Sequence, residues 1–418
     1  MSLAWWLLRA AAPCAGAVLS LARPLAPREE RALWDERLGG APLTGGADAW
    51  IHAASLGEAT AVAPLLRELT RSRPGARCVL SATTRAGRSR LGGLGAPAGL
   101  APFDTPQAVS RFFRGVAPRR LFLIETELWP HWLLRARAAD VPVAVVSARL
   151  SARSLAGYRH LGRPFRALVA GLAAVLCQTA SDLERWRALG ARAERSAVTG
   201  NLKDDGLPEP ARDRAAARAS AGLDPARLLL VLGSVRPGEA AMLARAWRRL
   251  PAALRGRWQV AAIPRHREAS ADLEREAAAA GQEIARPGEA RRPGTWAWDD
   301  RLGVLARYYA AAEVAFVGGS LVPLGGHNPL EPAACGAALL MGAHHEHQRD
   351  AVEALVRAGA LRVAADEEEL AAALALWLGD APARERAGAA ALATAAARKG
   401  AARRTVAQLE EWGLWPPG

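Results

Sequence analysis

The stretch that decides the fold is WIHAASLGEAT, residues 50–60. In it a short apolar run, Trp50 to Ala53, is followed by a turn of small residues and then by a helical pattern. The same order of strand, turn and helix recurs along the chain. The further strand-like runs are Arg77 to Ser81, Leu121 to Ile124, Val141 to Val146, Ala174 to Cys177, Ala197 to Thr199, Leu228 to Leu232, Gln259 to Ile263, Val314 to Val317 and Ala338 to Met341. This alternation predicts the α/β class, with parallel sheets covered on both faces by helices.

The strand-like runs fall into two sets, separated by the segment GNLKDDGLPEPARDRAAARASAGLDPAR at 200–227. Its proline, glycine and alternating charges are typical of a linker with a short polar helix. We therefore predict two doubly wound, Rossmann-like domains that face each other across a cleft. The predicted parts are an N-terminal helix and lead-in (1–40), a first domain (41–202), the linker (203–226) and a second domain (227–418) whose last helix is free to pack back on the first.

The chain carries a formal net charge of +14 over 418 residues, which favours an anionic partner: nucleic acid, a phosphorylated substrate or an acidic membrane surface. The arginines are spread along the chain without aromatic platforms, so we expect no nucleic acid partner. The four cysteines are far apart, which indicates neither a disulfide framework nor a zinc site. The cluster His344 to His347 is typical of a solvated loop, and we predict no metal.

Residues 3–22 are apolar apart from Arg9 and a few small residues, and four arginines follow by residue 37. A membrane span needs about 20 apolar residues, whereas the run between Arg9 and Arg23 extends only from Ala10 to Ala22 and contains Pro13. A cleaved signal peptide and a buried helix are both compatible with this pattern. We favour an apolar N-terminal helix that associates with a membrane while its arginines face the cytoplasmic leaflet.

Charged residues follow the strands of the first set. Glu58 lies in the first turn of a helix, where it either complements the helix dipole or acts as a general base in a cleft. Glu125 and Glu127 follow a buried strand directly, and we expect one of them to be functional and the other structural. Lys203 is one of only two lysines in the chain; it is either a solvated surface group or a cation that stabilises developing negative charge.

The second set offers residues suited to a phosphorylated ligand. Ser234 lies at a strand-to-helix turn, and Arg265 and His266 follow the next strand. The glycine-rich stretch 316–332 carries Asn328 and Glu331, and a carboxylate beside such a loop can accept ribose hydroxyls. The glycines of the turn at Ser234 and of the stretch 316–332 match neither the motif of a P-loop enzyme nor that of a hydride-transfer enzyme.

The chain resembles the bacterial 3-deoxy-D-manno-octulosonic acid (Kdo) transferases of lipopolysaccharide synthesis, which are membrane-associated glycosyltransferases of the GT-B fold. The resemblance extends over nearly the whole chain. It rests on ERLG at 36–39, HAASLGE at 52–58, ETELWP at 125–130, ARLSARSLAGY at 148–158, TGNLKDD at 199–205, PRH at 264–266 and FVGGSLVPLGGHNPLEP at 316–332.

The resemblance implies that Kdo is transferred with inversion, and without a metal, from CMP-Kdo to a lipid A precursor (lipid IVA) at the cytoplasmic face of the inner membrane. It makes Glu58 the general base, and Glu125 and Lys203 stabilisers of the transition state. CMP-Kdo is a co-substrate, so no cofactor is expected. With Ser234 and His266, the residues expected to bind the donor are Pro264, Arg265, Leu302, Gly303, Val304, Asn328, Pro329, Leu330 and Glu331.

Two segments depart from the family pattern. In GSVRPGE at 233–239, Arg236 replaces a common histidine and Pro237 an acid; in DRLGVL at 300–305, Val304 replaces an acid. We expect Arg236 to supply a phosphate contact instead. Another nucleotide-sugar transferase or a sugar epimerase of the same fold would explain the architecture but not the ETELWP and GGHNPLEP motifs. A basic, non-enzymatic protein that binds nucleic acid or membranes is the alternative of a different class.

Overall fold

The computed structural model describes residues 12–13, 15–19, 21, 23–25, 27–40, 45–289, 292 and 294–416. Most of the predicted membrane-associating stretch, residues 3–22, lies outside the described residues. Within the described part, no helix has both the length and the apolar character needed to cross a bilayer. The chain forms two compact units: one runs to Gly206 and includes Gly400 onwards, and the other comprises Leu207–Lys399.

The first unit is built on a seven-stranded sheet in which every pairing is parallel. Its strands, in the spatial order β3-β2-β1-β4-β5-β6-β7, are β1 (Ala49–Ala53), β2 (Cys78–Ala82), β3 (Ala98–Leu100), β4 (Leu121–Ile124), β5 (Val143–Ala148), β6 (Ala174–Cys177) and β7 (Ser196–Val198). Its helices are α1 (Arg31–Arg37), α2 (Leu56–Ser72), α3 (Arg85–Gly92), α4 (Pro106–Val116), α5 (Pro130–Ala138), α6 (Ala152–Arg159), α7 (Gly162–Ala170), α8 (Ala180–Leu189) and the C-terminal helix (Ala401–Glu411).

Hydroxyl side chains at the helix starts explain where many helices of this unit begin. A serine or threonine side chain accepts a hydrogen bond from a backbone N–H three residues later, which satisfies a donor that the helix leaves free. The residues concerned are Ser55, Thr84, Thr105, Ser151 and Thr179. The strands between them are short buried runs of mostly apolar residues, so the strand-turn-helix order is specified locally.

The second unit repeats the architecture with its own seven-stranded parallel sheet. Its strands, in the order β10-β11-β9-β8-β12-β13-β14, are β8 (Leu228–Val235), β9 (Trp258–Pro264), β10 (Ile284–Ala285), β11 (Trp296–Trp298), β12 (Val314–Val317), β13 (Ala338–Gly342) and β14 (Leu361–Ala364). Its helices are α9 (Arg214–Ser220), α10 (Glu239–Arg248), α11 (Ala252–Gly256), α12 (Ser270–Ala279), α13 (Leu305–Ala311), α14 (Leu330–Ala334), α15 (Arg349–Arg357), α16 (Glu367–Gly379) and α17 (Ala381–Arg398). The two sheets confirm the predicted α/β class.

The segment considered as a linker is divided between the units. Leu202–Gly206 forms a 3-10 turn in the first unit, whereas α9 belongs to the second. In α9, Arg218 is buried and lies 2.8 Å from Glu313. The C-terminal helix packs against α2 within the first unit.

The carboxylate of Asp205 binds the start of the C-terminal helix. It accepts hydrogen bonds from the backbone N–H groups of Gly400, Ala401 (3.1 Å) and Ala402 (2.6 Å). These donors have no partner inside their own helix, and a negative charge at a helix N-terminus is favourable. Asp205 therefore joins a distant part of the chain to the first unit.

We expect Asp205→Ala to lower the free energy of unfolding by about 1–3 kcal/mol, because these backbone donors lose a charged acceptor. Urea denaturation measures the effect. Asp205→Asn keeps one accepting oxygen and should lose less. Unchanged stability of Asp205→Ala would contradict the capping role.

Candidate functional site

Glu58 lies where β1 runs into α2. Its carboxylate accepts hydrogen bonds from the backbone N–H of Ala54 (2.7 Å) and the hydroxyl of Ser55 (3.1 Å). Burial raises the pKa of Glu58 to about 7, with further contributions from Glu125 and Glu127, while the hydrogen bonds from Ala54 and Ser55 oppose the shift. The residue therefore completes a helix cap and also titrates near neutral pH, as a general base should.

Glu125 and Lys203, which come from distant parts of the chain, form an ion pair. The Nζ atom of Lys203 lies 2.5 Å from Oε1 of Glu125. Glu125 follows β4 with a φ of 61°, a left-handed conformation that is costly for a residue other than glycine and is typical of functional sites. Asn201 stabilises the turn that carries Lys203, since its Oδ1 accepts a hydrogen bond from the backbone N–H of Lys203 (3.0 Å).

Glu127, two residues after Glu125, has different partners. Its Oε2 atom accepts a hydrogen bond from Nε1 of Trp129 at 2.7 Å and lies 3.6 Å from Nε2 of His52. His52 is on β1 and is completely buried. His52 was not among the predicted site residues, although a histidine within an otherwise apolar strand was a visible signal. The structure thus brings Glu58, Glu125 and Lys203 into one region of the first unit, with Glu127 beside them.

A buried carboxylate anchors the glycine-rich loop of the second unit. Glu239, at the start of α10, accepts hydrogen bonds at 2.9 Å from the backbone N–H groups of Arg236, Gly319, Ser320 and Leu321. Burial raises the pKa of Glu239, and the four N–H donors oppose that shift. Glu239, the last residue of GSVRPGE, was not predicted to have a role, because its backbone partners come from a segment about 80 residues further along the chain.

The end of β8 approaches the same loop closely, and Ser234, expected in the turn, lies within the strand at a shift in its pairing with β9. Ser234 has a φ of 56° and is buried. A Cβ atom on Gly318 would lie 2.3 Å from the Ser234 carbonyl oxygen, so only glycine fits there. Ser234 therefore helps to shape the loop with its backbone.

Positive charge surrounds His327, which follows this loop. Burial, assisted by Arg265, Arg236, His266 and His347, lowers the pKa of His327 to about 4. The Nε atom of Arg236 is buried and has no hydrogen-bond partner among the described residues. This region has a surplus of cationic groups, which suits an anionic ligand.

Asn328 and Glu331 stand at the start of α14, beside Arg265. Burial raises the pKa of Glu331, and the Arg265 and Asn328 side chains act in the opposite direction. Pro329 and Leu330, between them, are buried, as is Pro264 at the end of β9. The structure thus brings together most of the predicted donor-binding residues at one edge of the sheet.

The turn of Leu302, Gly303 and Val304 is placed differently. It follows β11, and the Leu302 side chain is 87% exposed. Asp299, just before the turn, is bound by Arg301 and Tyr308, which hold its pKa at about 2 although burial acts to raise it. In the described part of the chain, no hydrogen bond or ion pair links the 302–304 turn to Arg265 or Glu331.

The cluster His344 to His347 lies in a short turn, where Nδ1 of His344 is 3.8 Å from Oε1 of Glu346. Across the described residues, no group of three or more His, Cys, Asp or Glu side chains is arranged to hold a metal ion. The ring of His347 instead packs against Gly325.

The architecture of the two units places the chain in the GT-B-like α/β class. A UDP-N-acetylglucosamine 2-epimerase of known structure superposes with a TM-score of 0.62 and 15% identity over 88% of this chain and 97% of that one, a likeness of fold alone. A family model for 3-deoxy-D-manno-octulosonic-acid transferase matches residues 32–206.

Two relatives extend this match. A 3-deoxy-D-manno-octulosonic acid transferase of Bordetella pertussis is 40% identical over 388 residues, which is 89% of either chain. One of Chlamydophila psittaci is 32% identical over 75% of this chain and 73% of that one. The chain belongs to the Kdo transferase family, and it is a glycosyltransferase.

We expect Glu239→Gln to destabilise the second unit by about 2–4 kcal/mol, because the amide group that replaces one carboxylate oxygen faces backbone N–H donors and leaves them unsatisfied. Urea denaturation followed by tryptophan fluorescence measures this. Glu276→Gln is the matched control, since Glu276 accepts a bond from the neighbouring Gly238 N–H in an exposed position. Equal losses in the two variants would contradict the anchoring role of Glu239.

Proposed function

We propose that the protein is an inverting, metal-independent glycosyltransferase that moves Kdo from CMP-Kdo to a lipid A precursor, lipid IVA, in lipopolysaccharide synthesis. The observation that carries this proposal is Glu58, a carboxylate with a pKa of about 7 near the Glu125–Lys203 ion pair. We assign Kdo as the transferred sugar because the relatives are named as Kdo transferases. In this proposal the first unit binds the acceptor and the second binds the donor.

The proposed reaction is a direct displacement. Glu58 removes the proton of an acceptor hydroxyl, and the hydroxyl oxygen forms a bond to the anomeric carbon of Kdo. The bond from that carbon to the phosphate oxygen breaks, and its electron pair leaves with CMP. Attack on the face opposite the leaving group inverts the anomeric centre. Lys203, held by Glu125, stabilises charge that develops in the transition state.

The cationic groups of the second unit are the proposed ligands of the donor. Arg265 and Arg236 carry the positive charge that a departing phosphate requires, so protein side chains take the role that a metal ion has in other transferases. In this proposal Glu331 accepts ribose hydroxyls, and the Asn328 side chain beside it supports the carboxylate. The other proposed donor contacts are Ser234, Pro264, His266, Leu302, Gly303, Val304, Pro329 and Leu330.

The acceptor is a phosphorylated lipid, so we place the protein at the cytoplasmic face of the inner membrane. The net charge of +14 and the apolar character of residues 3–22 support this location.

The decisive experiment is transfer from CMP-Kdo to tetraacylated lipid A precursor, followed by mass spectrometry. We expect product with the wild type and a fall in kcat of at least about 100-fold with Glu58→Gln, which removes the base. Glu68→Gln, a substitution further along α2, is the control and should retain activity. Absence of product with the wild type would contradict the proposed donor or acceptor. Full activity of Glu58→Gln would contradict the proposed role of Glu58 as the base.

The same assay tests the protonation state of the base. Only the deprotonated form of Glu58 can accept the proton, so kcat/KM should fall as the pH drops below about 7. A rate that stays constant down to pH 5 would show that a carboxylate with an ordinary pKa, and not Glu58, is the base.

Arg236 gives a separate test of the donor site. We expect Arg236→Ala to raise the KM for CMP-Kdo and the Kd for CMP by about 10- to 100-fold, because a charged hydrogen bond to phosphate is lost. Isothermal titration with CMP measures the second value. Arg249→Ala removes a guanidinium that is 55% exposed and pairs with Glu367, and should leave both values unchanged. Unchanged CMP affinity of Arg236→Ala would contradict the phosphate contact.

A further inference from the structure

Glu127 presents one occupied and one free carboxylate oxygen. Both of its neighbouring donors, Nε1 of Trp129 and Nε2 of His52, lie at Oε2. Oε1 has no hydrogen-bond partner among the described residues, and the side chain remains 18% exposed. A carboxylate held on one side and open on the other can accept a hydrogen bond from a ligand.

The groups around His52 favour one position for the proton of its neutral imidazole ring. The Trp50 indole N–H can only donate, so the Ser81 hydroxyl accepts from it at 2.7 Å. The hydroxyl hydrogen of Ser81 is then available to Nδ1 of His52, at 2.9 Å. We assign the hydrogen of neutral His52 to Nε2, which faces the Glu127 carboxylate at 3.6 Å and the Thr83 hydroxyl at 3.4 Å, both able to accept it. A bare lone pair at Nε2 would be repelled by that carboxylate.

Burial lowers the pKa of His52, so the imidazole is neutral and its contact with Glu127 is a dipole directed at a charge. Such a contact orients the carboxylate but does not neutralise it. Glu127 thus differs from Glu125, whose charge is balanced by Lys203 at 2.5 Å. The free oxygen of Glu127 therefore remains available to a ligand.

Aromatic residues adjoin the carboxylate of Glu127. The Trp129 indole is 39% exposed, although the residue immediately precedes α5 and its neighbour Trp132 is buried. Tyr158 is close enough for the charge of Glu127 to contribute to the raised pKa of its hydroxyl, to which burial contributes most. An exposed aromatic face next to a charged acceptor suits a sugar ring, which has an apolar face and a polar rim.

We propose that Glu127 is the residue that positions the acceptor sugar. Its Oε1 atom accepts a hydrogen bond from a ring hydroxyl of that sugar, whose apolar face lies on Trp129, and His52 holds the carboxylate in this orientation. Glu58 follows β1 and Glu127 follows the neighbouring strand β4, and the charge of Glu127 contributes to the raised pKa of Glu58. A sugar bound here therefore presents a second hydroxyl to the base. This inference rests on the proposed transfer to a glycolipid.

The first test compares Glu127→Gln with the wild type in steady-state transfer from CMP-Kdo to tetraacylated lipid A precursor. The amide oxygen of the glutamine stays with the donors of Trp129 and His52, so its NH2 group replaces the accepting Oε1. We expect the acceptor KM to rise about 10- to 100-fold, the effect of losing a hydrogen bond to a charged group. The donor KM and the kcat at saturating acceptor should change less than about 3-fold. Glu194→Gln, at an exposed turn preceding β7, is the control and should match the wild type.

The second test distinguishes two roles of His52: orienting the Glu127 carboxylate and filling space in the core. His52→Leu fills the site without a donor, whereas His52→Gln restores an N–H near the position of Nε2. We expect His52→Leu to raise the acceptor KM as much as Glu127→Gln does, and His52→Gln to return it to within about 3-fold of the wild type. Thermal unfolding verifies that the variants fold. If His52→Leu does not fold, the Glu127→Gln comparison still tests the inference.

Two results would overturn the inference. A fall in kcat with an unchanged acceptor KM in Glu127→Gln would make Glu127 part of the acid-base chemistry. Wild-type kinetics of Glu127→Gln would make it a surface residue without a role. Either is distinct from failure of the proposed function, in which the wild type itself gives no product.

Discussion

Parallel pairing of every strand is the constraint on which both functional regions depend. In a parallel sheet all carboxyl ends lie at one edge, so residues that follow different strands meet there. Because β1 and β4 are neighbours, Glu58 and Glu125 come close although they are far apart in sequence. The same rule acts in the second unit, where β8 pairs with β9 and β12 and so gathers the segments after these strands.

The number of hydrogen-bond donors around each carboxylate distinguishes the acids that hold the structure from those available for chemistry. Glu239 has four backbone N–H donors and Asp205 has three, which leaves little capacity for a ligand. Glu58 has a single backbone donor and one hydroxyl in a partly buried position, and its pKa rises to about 7. The same residue type thus serves as an anchor or as a base according to how completely its charge is satisfied.

Ten of the fourteen strands in the described part of the chain were predicted from the sequence, including the edge strand β7, and the four that were missed lie at or next to a sheet edge. Leu121 to Ile124, Ala174 to Cys177 and Val314 to Val317 were predicted with their observed bounds, because a fully buried strand is a continuous apolar run. The strands β3, β10, β11 and β14 were missed. β3, β10 and β11 have only two or three residues, and in β14 the two middle residues are exposed, so none of the four presents a continuous buried apolar run of four residues.

The sequence by itself determined the α/β class, the family and the residues whose chemistry is unusual, because short apolar runs, helix caps and the order of motifs are local properties of the chain. Tertiary structure alone decided how those residues are partnered. Lys203 follows an edge strand, and reaches Glu125 only because the turn at 202–206 packs on α2 and Leu202 N–H binds the Ser147 hydroxyl. Glu127 acquires a buried partner because β1 places His52 beneath it. Charge and hydrogen-bond partners come from distant segments, and their identity depends on packing that a linear pattern does not encode.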